Sequence, residues 1–300
     1  MLSARLMFYT FPHFTKSVKN GDTMTDKKIA VIGGDKRFIY LAEELKKDGF
    51  EVKSCGGVSD IDSALENTDA VVLPFPVSPD GVYLNTPLCG EIRLSFLFGK
   101  IKDYNVRHVF GGAVSAAVQK LAEAYGVYVC DYGKMEAVAL KNALCTSEGA
   151  LQIALENLNV TLHSCPVTVL GYGRIGRILS SELMSLGASV RAVARKPEDI
   201  AKMQIDGVKP FYFKDIKEAV SGSTLIYNTV PSPVMDGEIL SLLKNKPLII
   251  DLASAPGGID RAAAETLGIN VIWALSLPGK TAPKTAALII KEAILSSISE

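Results

Sequence analysis

The sequence lacks the features that mark several classes of protein. Its five cysteines, Cys55, Cys89, Cys130, Cys145 and Cys165, are scattered, odd in number and without a CxxC pair. Disulfide frameworks and zinc sites need paired or ligand-like spacings, so we expect reduced, mostly buried thiols and no metal site. The formal net charge is zero, which gives no overall field to attract nucleic acid or an anionic membrane. These absences favour a small-molecule partner in a reducing compartment such as the cytoplasm.

The first segment, residues 1–23, is unlike the rest of the chain. It is aromatic and basic, and its apolar stretch is broken by Pro12 and His13, well short of the ~20 residues that a membrane span needs. It also lacks the uninterrupted apolar core and the cleavage site of a signal peptide. We expect this segment to lie outside the fold, as a disordered extension or an upstream start, with Met24 as the working start.

The remaining length suits two compact units of ~130 residues each. From Lys28 onward, short β-branched runs alternate with amphipathic helical patterns, which is typical of parallel strands joined by crossover helices. The sequence therefore predicts an α/β fold of two Rossmann-like domains with doubly wound parallel sheets, arranged as in two-domain dehydrogenases. The expected parts are a Rossmann-like or flavodoxin-like substrate domain over 24–134, a connecting helical region over 135–163, a nucleotide-binding domain over 164–278, and a C-terminal helix over 279–300 that packs back on the first domain.

Eleven strands are expected. They are 29–32, 51–54, 70–73, 108–110 and 127–129 in the first half, then 167–170, 189–194, 210–213, 224–228, 248–252 and 270–273 in the second. Helical patterns cover 39–47, 115–125, 177–186 and 282–298, and a long one over 135–158 is expected to be interrupted near Thr146. Gly126 and Gly187 stand where helix C-caps need glycine.

The first strand ends in Gly33-Gly34-Asp35, which predicts a tight turn. The third glycine of a dinucleotide fingerprint is missing, and Phe38 and Ile39 stand where small residues are needed for a phosphate to approach. We therefore expect the first domain to supply substrate contacts or architecture, with nucleotide binding only as a secondary interpretation.

The run Gly171-Tyr172-Gly173-Arg174-Ile175-Gly176 predicts a dinucleotide site. It directly follows an apolar strand and directly precedes a helical pattern, which is the context that makes this fingerprint specific. Gly171 permits the tight turn, Gly173 lets the backbone approach the pyrophosphate, and Gly176 lets the helix pack on the strand.

The next strand bears on which dinucleotide binds. It ends in Arg195-Lys196, with no acid to accept the ribose 2′-hydroxyl and two cations where a 2′-phosphate would lie. This favours NADP(H), with NAD possible, although an exposed basic turn would have the same sequence. The later strands end in Asn228-Thr229-Val230-Pro231 and in Asp251, so we expect these residues to line the crevice at the carboxyl edge of the sheet.

Several runs together resemble the A-subunit of dipicolinate synthase. They are 29–35, 142–149 with Thr146 and Glu148, 171–176, 228–231, 251–258, 277–279 and 282–286. The chain departs from that family at Cys145, where proline is expected, and at Ala287, where glycine is usual. The resemblance implies an enzyme of spore-forming bacteria, working in the mother-cell cytoplasm. It would convert 4-hydroxy-tetrahydrodipicolinate, the product of the dihydrodipicolinate synthase reaction, into dipicolinate, with loss of water and hydride transfer to NADP+. It also implies a partner, the flavoprotein-like B-subunit of a two-subunit enzyme, and we expect a homo-oligomer.

Three histidines are present, and none follows the glycine fingerprint, so the histidine acid or base of D-2-hydroxyacid dehydrogenases is absent. Since dehydration and hydride loss create an aromatic ring, we expect positioning to carry most of the catalysis. A dicarboxylate substrate needs cationic or hydroxyl donors, and we select Ser254, Lys284 and Arg93. The other available donors are Arg107, Lys141, Lys280, Thr86, Ser115 and Thr285.

Two other functions are consistent with the same motifs. One is an NADP-dependent reductase or dehydrogenase of another small carboxylate or imine. The other is a non-catalytic subunit that binds NADP(H), because Rossmann domains bind nucleotides without necessarily doing chemistry.

Overall fold

The computed structural model describes residues 27–299, and the segment 1–23 considered above lies outside the described residues. Two parallel sheets organise this part of the chain, one of five strands and one of six. Alternate residues of β1 (Lys28–Ile32) enter two different apolar cores: Ala30 and Ile32 one, Ile29 and Val31 the other. Both faces of the first sheet are therefore covered, as all-parallel sheets require.

The first sheet has the strand order β2-β1-β3-β4-β5. Its further elements are α1 (Lys36–Lys47), β2 (Glu51–Cys55), α2 (Ile61–Leu65), β3 (Ala70–Val72), α3 (Leu94–Asp103), β4 (His108–Gly111), α4 (Ala116–Ala124) and β5 (Val129–Asp131).

The second sheet has the order β11-β10-β9-β6-β7-β8. Its elements are α5 (Glu136–Asn157), β6 (Pro166–Leu170), α6 (Arg174–Ser185), β7 (Ser189–Ala194), α7 (Pro197–Ile205), β8 (Lys209–Tyr212), α8 (Ile216–Val220), β9 (Leu225–Asn228), α9 (Gly237–Ser241), β10 (Leu248–Asp251), α10 (Arg261–Leu267), β11 (Val271–Trp273), α11 (Leu277–Thr281) and α12 (Pro283–Ser299). The chain order reverses between β6 and β9, and ligands of open α/β sheets bind in the crevice beyond such a point.

The predicted fold class is confirmed, and all eleven expected strands are present with small shifts of their ends. The largest shift is at β5, which begins at Val129 rather than Val127. The amide of Val127 instead donates to the carbonyl of Ala122 and closes the end of α4, with Gly126 in the left-handed conformation. Helix α6 begins at Arg174, three residues earlier than expected, because Gly173 is already its N-cap.

The expected interruption of the long helix near Thr146 is wrong. Helix α5 continues through this position, and the Thr146 hydroxyl donates to the carbonyl of Asn142, one turn back in the helix, at 2.8 Å. Cys145 keeps the backbone amide that the family's proline would remove, so the helix meets no break.

The last helix, α12, leaves the second sheet and packs on α1 of the first. Ile290 and Ile294 are buried in the same core as Leu41, and Lys291 donates to Asp48 at 2.8 Å. Full burial of a side chain of this kind stabilises a fold by about 1.5–3 kcal/mol. The two sheets are thus tied together by the end of the chain as well as by α5.

Candidate dinucleotide-binding site

The turn after β6 is built on glycines that cannot be replaced. Gly171 has φ +95°, and a Cβ there would lie 2.3 Å from the Thr229 hydroxyl oxygen. A Cβ on Gly176 would lie 2.1 Å from the carbonyl oxygen of Gly171. Strand, turn and helix are therefore packed as closely as the backbone allows, as the sequence predicts for these two positions.

Gly173 is different from its two neighbours. A Cβ at this position would have no protein heavy atom within 4 Å, so the backbone here faces open space. Gly173 is the N-cap of α6 and offers no side chain to accept hydrogen bonds from the first amides of the helix. Those amides carry a partial positive charge, which suits a phosphate group. The open space and the uncapped helix end together fit the pyrophosphate of a dinucleotide.

The side chains of the turn after β6 contact neighbouring parts of the protein and so fix the position of the turn. Tyr172 is buried and donates to Asp206 at 2.9 Å, and burial is the main cause that raises its pKa. Arg174 pairs with Glu136 at the start of α5, with Nε to Oε1 at 2.8 Å. Ile175 is half-buried against the core. Each of these side chains points to a neighbouring helix or core, which leaves the backbone to face the crevice.

Thr229 supports the turn from the adjacent strand end. Its hydroxyl and its backbone amide both donate to the carbonyl of Leu170, each at 2.9 Å. Because the same hydroxyl fills the space beside Gly171, the two strand ends interlock. Val230 is half-buried and Pro231 is exposed at the rim of the crevice.

Asn228 and Asp251 lie beneath the crevice and bond to each other. The Asn228 amide donates to Asp251 Oδ1 at 2.8 Å, and the Asp251 carboxylate also accepts from the backbone amides of Ala253 and Gly258 at 3.1 and 3.0 Å. Both side chains are buried, at 0% and 1% exposure. The structure thus places them as supports of the two loops rather than as free groups lining the crevice, and a contact with cofactor stays a prediction.

This buried pair also explains the Gly257-Gly258 sequence. A Cβ on Gly258 would lie 2.4 Å from the Asn228 amide nitrogen, and one on Gly257 would lie 2.7 Å from Asp251 Oδ2. The loop after β10 therefore closes over the pair only with glycine at both positions.

Arg195 lies at the end of β7 beside an aromatic ring. Its guanidinium carbon is 5.4 Å from the centroid of the Phe213 ring, and Nη2 donates to the Ser232 hydroxyl at 3.2 Å. A cavity of about 370 Å³ is lined by Arg195, Tyr212, Phe213 and Lys214. The lining has two cations, two aromatic rings and no carboxylate, which suits a flat base bearing a phosphate. Lys196, the next residue, is exposed at the N-cap of α7.

The three residues selected as catalytic lie on separate elements. Ser254 is exposed in the loop after β10, and Arg93 is exposed before α3, with its guanidinium 5.4 Å from the Tyr83 ring centroid. Lys284 is exposed at the start of α12, 4.0 Å from Glu44 of α1. Within residues 27–299, no hydrogen bond or ion pair joins any two of the three. Their catalytic role stays a prediction.

Some of the other predicted donors have internal partners. Ser115 caps α4 by accepting from Val118, Thr86 donates to the carbonyl of Gly90, and Lys141 pairs with Glu292 of α12. These contacts hold loops and helices together, which reduces the set of donors that are available to a substrate.

One contact between the two halves was missed by the sequence reasoning. Arg37 is only 5% exposed and forms a two-pronged pair with Asp35 in the turn after β1, and it also donates to the carbonyl of Phe75. A Cβ on Gly279 of α11 would lie 2.8 Å from Asp35 Oδ2 and 2.9 Å from Arg37 Nε. Asp35 and Gly279 both occur in the family-like runs, which was the available signal that the two segments meet.

Two kinds of feature are absent from residues 27–299. No three histidine, cysteine, aspartate or glutamate side chains come together as metal ligands there. None of the helices in this range is both long enough and apolar enough to cross a bilayer.

Comparisons with known proteins confirm the resemblance drawn from the motifs. Residues 28–133 match the family described as the N-terminal domain of the dipicolinate synthase A-subunit. The A-subunit of dipicolinate synthase from Bacillus subtilis (strain 168) is 29% identical over 294 residues, which cover 92% of this chain and 97% of the relative. The crystal structure of the dipicolinate synthase A-subunit from Bacillus halodurans has a TM-score of 0.84 and 25% identity, covering 92% of this chain and 99% of the other.

The fold is shared more widely than the family. The apo structure of D-lactate dehydrogenase from Escherichia coli has a TM-score of 0.61 and 17% identity, covering 91% of this chain and 96% of the other. A likeness at this level of identity shows the two-domain dehydrogenase fold alone.

Proposed function

We propose that this chain is a dipicolinate synthase A-subunit, as the match over residues 28–133 and the 29% identity to the Bacillus subtilis relative support, and that it catalyses the last oxidation in dipicolinate formation. The substrate is 4-hydroxy-tetrahydrodipicolinate, which loses water and then passes a hydride to NADP+ and a proton to solvent. The observation that carries the proposal is the turn after β6, where Gly173 faces open space in front of an uncapped helix end. That geometry fits a dinucleotide, and the identity of the substrate is inferred from the similar proteins.

The cofactor is NADP+ rather than NAD+. When bound, it accepts the hydride from the substrate ring. Gly171 and Gly176 would shape the turn so that Gly173 and the first amides of α6 could reach its pyrophosphate, and Thr229 and Val230 would flank that turn. Arg195, supported by Ser232 and the Phe213 ring, would hold the 2′-phosphate, and Lys214 would add a second positive charge in the same cavity.

The protein's task in this reaction is to position the substrate and exclude water. Loss of water and of a hydride creates an aromatic pyridine ring, so aromatisation supplies driving force and no strong base is required. The described part of the second half has no histidine after the glycine fingerprint, which agrees with this chemistry. Ser254, Lys284 and Arg93 are our candidates for holding the two substrate carboxylates.

The relatives are named for one subunit of dipicolinate synthase, which supports a second kind of subunit in the complex. We propose that a flavoprotein-like B-subunit joins this chain in the mother-cell cytoplasm of a sporulating bacterium. The absence of an acid/base pair at the described crevice keeps one other function under test, in which this chain only binds NADP(H) and the partner performs the chemistry.

The test is to mix purified full-length chain with NADP+ and freshly made product of dihydrodipicolinate synthase. Absorbance is followed at the NADPH band and at the ultraviolet band of dipicolinate. We expect both bands to grow together in a one-to-one ratio. Growth only after the B-subunit is added would mean that this chain is one part of a two-subunit enzyme and does not act alone. No growth with either would overturn the dipicolinate assignment.

Simple 2-hydroxy acids are the matched substrate control, since the dehydrogenases of similar fold include D-lactate dehydrogenase. A substantial rate with these acids would favour the alternative of a general carboxylate dehydrogenase.

A further inference from the structure

The arginine of the glycine turn is held by a glutamate from another helix. Arg174 is the first residue of α6, and Glu136 is the first residue of α5. Arg174 Nε lies 2.8 Å from Oε1 of Glu136, and Arg174 Nη2 lies 2.5 Å from Oε2. While this two-pronged pair is formed, the Arg174 guanidinium is occupied by a group of the protein itself.

Two helix N-termini meet at this pair. The N-cap residues of α5 and α6, Met135 and Gly173, do not cap their helices with a side-chain hydrogen bond. Each helix end carries a partial positive charge, and Arg174 adds a full one. Glu136 is the one acidic residue in the first turns of these two helices. It therefore supplies the negative charge at a place where positive charge is in excess.

The pair leaves room for a second anion. Glu136 does not fill the space in front of Gly173, where a Cβ would meet no protein heavy atom within 4 Å. The side chains of Arg174 and Glu136 are 53% and 61% exposed, and an ion pair so well solvated contributes little to stability. Arginine and phosphate form strong charge-assisted hydrogen bonds, and the helix ends favour the same anion. Exchange of the carboxylate for a pyrophosphate is therefore favourable.

We propose that Glu136 competes with the pyrophosphate of the dinucleotide for Arg174, and so sets how tightly the cofactor is held. In the free protein Arg174 pairs with Glu136, and in the complex it pairs with the pyrophosphate. Arg174 returns to Glu136 when the cofactor leaves. This inference rests on the proposed dinucleotide site and is independent of which substrate is oxidised.

The next arginine of α6 forms a pair that is harder to open. Arg177 donates to Asp206 at 2.8 Å, and the same carboxylate also accepts from Tyr172 at 2.9 Å. The side chain of Asp206 is 22% exposed, whereas that of Glu136 is 61% exposed. Within residues 27–299, Arg174 is the one side-chain partner of Glu136. The pair at Glu136 is therefore the one that a ligand can open at low cost.

The first experiment measures NADP+ affinity of the full-length chain by isothermal titration. Glu136→Ala removes the charge and both hydrogen bonds, so affinity should rise by about 5-fold, and Glu136→Gln, which keeps a neutral acceptor, should raise it by about 2-fold. Glu51→Ala is the matched control. Glu51 is 53% exposed and pairs with Lys28 at 2.9 Å, at the amino ends of β1 and β2, so this variant should bind NADP+ as the wild type does.

The second experiment tests whether Glu136 acts through Arg174. Arg174→Met should weaken NADP+ binding by about 10-fold, because a charge-assisted contact is lost. Adding Glu136→Ala to this variant should change affinity by less than about 2-fold, since no cation is left to compete for. Equal gains from Glu136→Ala in both backgrounds would mean that the carboxylate acts by repulsion alone, and competition for Arg174 would be wrong.

The remaining outcomes separate this inference from the cofactor site itself. If the wild type binds NADP+ and Glu136→Ala leaves the affinity unchanged or lowers it, the inference is overturned and the cofactor site stands. A wild type that binds neither NADP+ nor NAD+ would remove both. Stopped-flow dissociation of NADPH gives an independent readout, because Glu136→Ala should slow the release of the cofactor by about the factor seen in affinity.

Discussion

The turn after β1 and the turn after β6 join an interior strand of a parallel sheet to a helix of 12 residues. Each turn begins with a glycine in the left-handed region, at φ +72° for Gly33 and +95° for Gly171. The first turn is filled by the chain itself. The Phe38 ring lies 2.3 Å from where a Cβ of Gly34 would be, and the Asp35 carboxylate accepts from the amide of Arg37.

In the second turn, no side chain occupies the corresponding space. Gly173 occupies the N-cap position that Asp35 occupies in the first turn, and no protein atom lies in front of it. A helix N-terminus is stabilised by negative charge, and the two turns obtain it from different sources. In the first turn the anion is the protein's own carboxylate, and in the second we propose that it is the cofactor's pyrophosphate. The number of glycines therefore matters less than what occupies the space beside them.

The largest expected effect comes from filling the open turn. Gly173→Val places a side chain where the pyrophosphate would approach, so NADP(H) affinity should fall by about 1,000-fold, or about 4 kcal/mol. The melting temperature should stay near that of the wild type, because the space is empty of protein and φ at Gly173 is −80°.

Isothermal titration with NADP(H) and a thermal melt measure the two effects. Gly90→Val is the matched control, since a Cβ at Gly90 also has no atom within 4 Å, and it should change neither quantity. Unchanged NADP(H) affinity in Gly173→Val would remove the cofactor from this turn.

A change in the turn after β1 should lower stability and leave NADP(H) affinity unchanged, which is the opposite of the effect of Gly173→Val. Arg37→Met leaves the Asp35 carboxylate and the Phe75 carbonyl without their cationic partner, beneath α11. Because Arg37 is buried and Asp35 is partly exposed, removing the cation should cost about 2 kcal/mol of unfolding free energy, while NADP(H) affinity should be unchanged. Urea unfolding measures the loss. Lys120→Met, an exposed position on α4, should stay within a few tenths of a kcal/mol, and an equal loss there would remove the role given to the pair.

The sequence predicted the two turns with different success. Gly171, Gly173 and Gly176 were identified together because the fingerprint is local. The close packing at Gly171 and Gly176 is present, whereas the approach of a pyrophosphate to Gly173 stays a prediction. The tight turn predicted at Gly33 and Gly34 is present, and Phe38 fills the space beside Gly34. The Asp35–Arg37 pair was not predicted, because the groups it contacts are remote in the chain: the Phe75 carbonyl is 38 residues from Arg37, and Gly279, which packs on the pair, is more than 240 residues away.

Asn228 and Asp251 show a second limit of sequence reasoning. A polar residue at a strand end is equally suited to contact a ligand or to support a loop, and only the tertiary structure shows that these two bond to each other. The break expected in α5 near Thr146 does not form, because the Thr146 hydroxyl bonds to the Asn142 carbonyl one turn back and the helix continues.

The next largest effect concerns Arg195, at the end of β7, and the choice between NADP+ and NAD+. Arg195→Asp replaces the cation beside Phe213 and Ser232 with an acceptor for a ribose hydroxyl, so NADP+ affinity should fall by about 30-fold, or about 2 kcal/mol, and NAD+ affinity should rise. Fluorescence titration with both nucleotides measures the ratio. Lys209→Asp at the other end of β8 should leave this ratio unaltered, because Lys209 does not line the cavity. Equal loss of affinity for both nucleotides in Arg195→Asp would contradict a 2′-phosphate contact.

The smallest expected effect concerns the helices behind the two turns. Arg37 in α1 has its partners, whereas α6 buries two side-chain oxygens without any, Ser180 Oγ and Glu182 Oε2. Burial raises the pKa of Glu182 above its ordinary value of 4.5. The unfolded chain therefore ionises this group first, so the wild type loses stability as the pH rises from about 4.5 through the folded pKa, and no further above it.

Glu182→Gln removes this loss, because the amide does not ionise. The variant and the wild type should be equally stable below pH 4.5, and the variant should be more stable at neutral pH by a few tenths of a kcal/mol, since water partly screens the site. Ser180→Ala is the control that separates charge from burial: it removes the other unpartnered oxygen and should stabilise by about 1 kcal/mol at every pH. Urea unfolding at acid and neutral pH gives both differences. A gain from Glu182→Gln that is the same at both pH values would mean that the gain does not come from removing the ionised carboxylate.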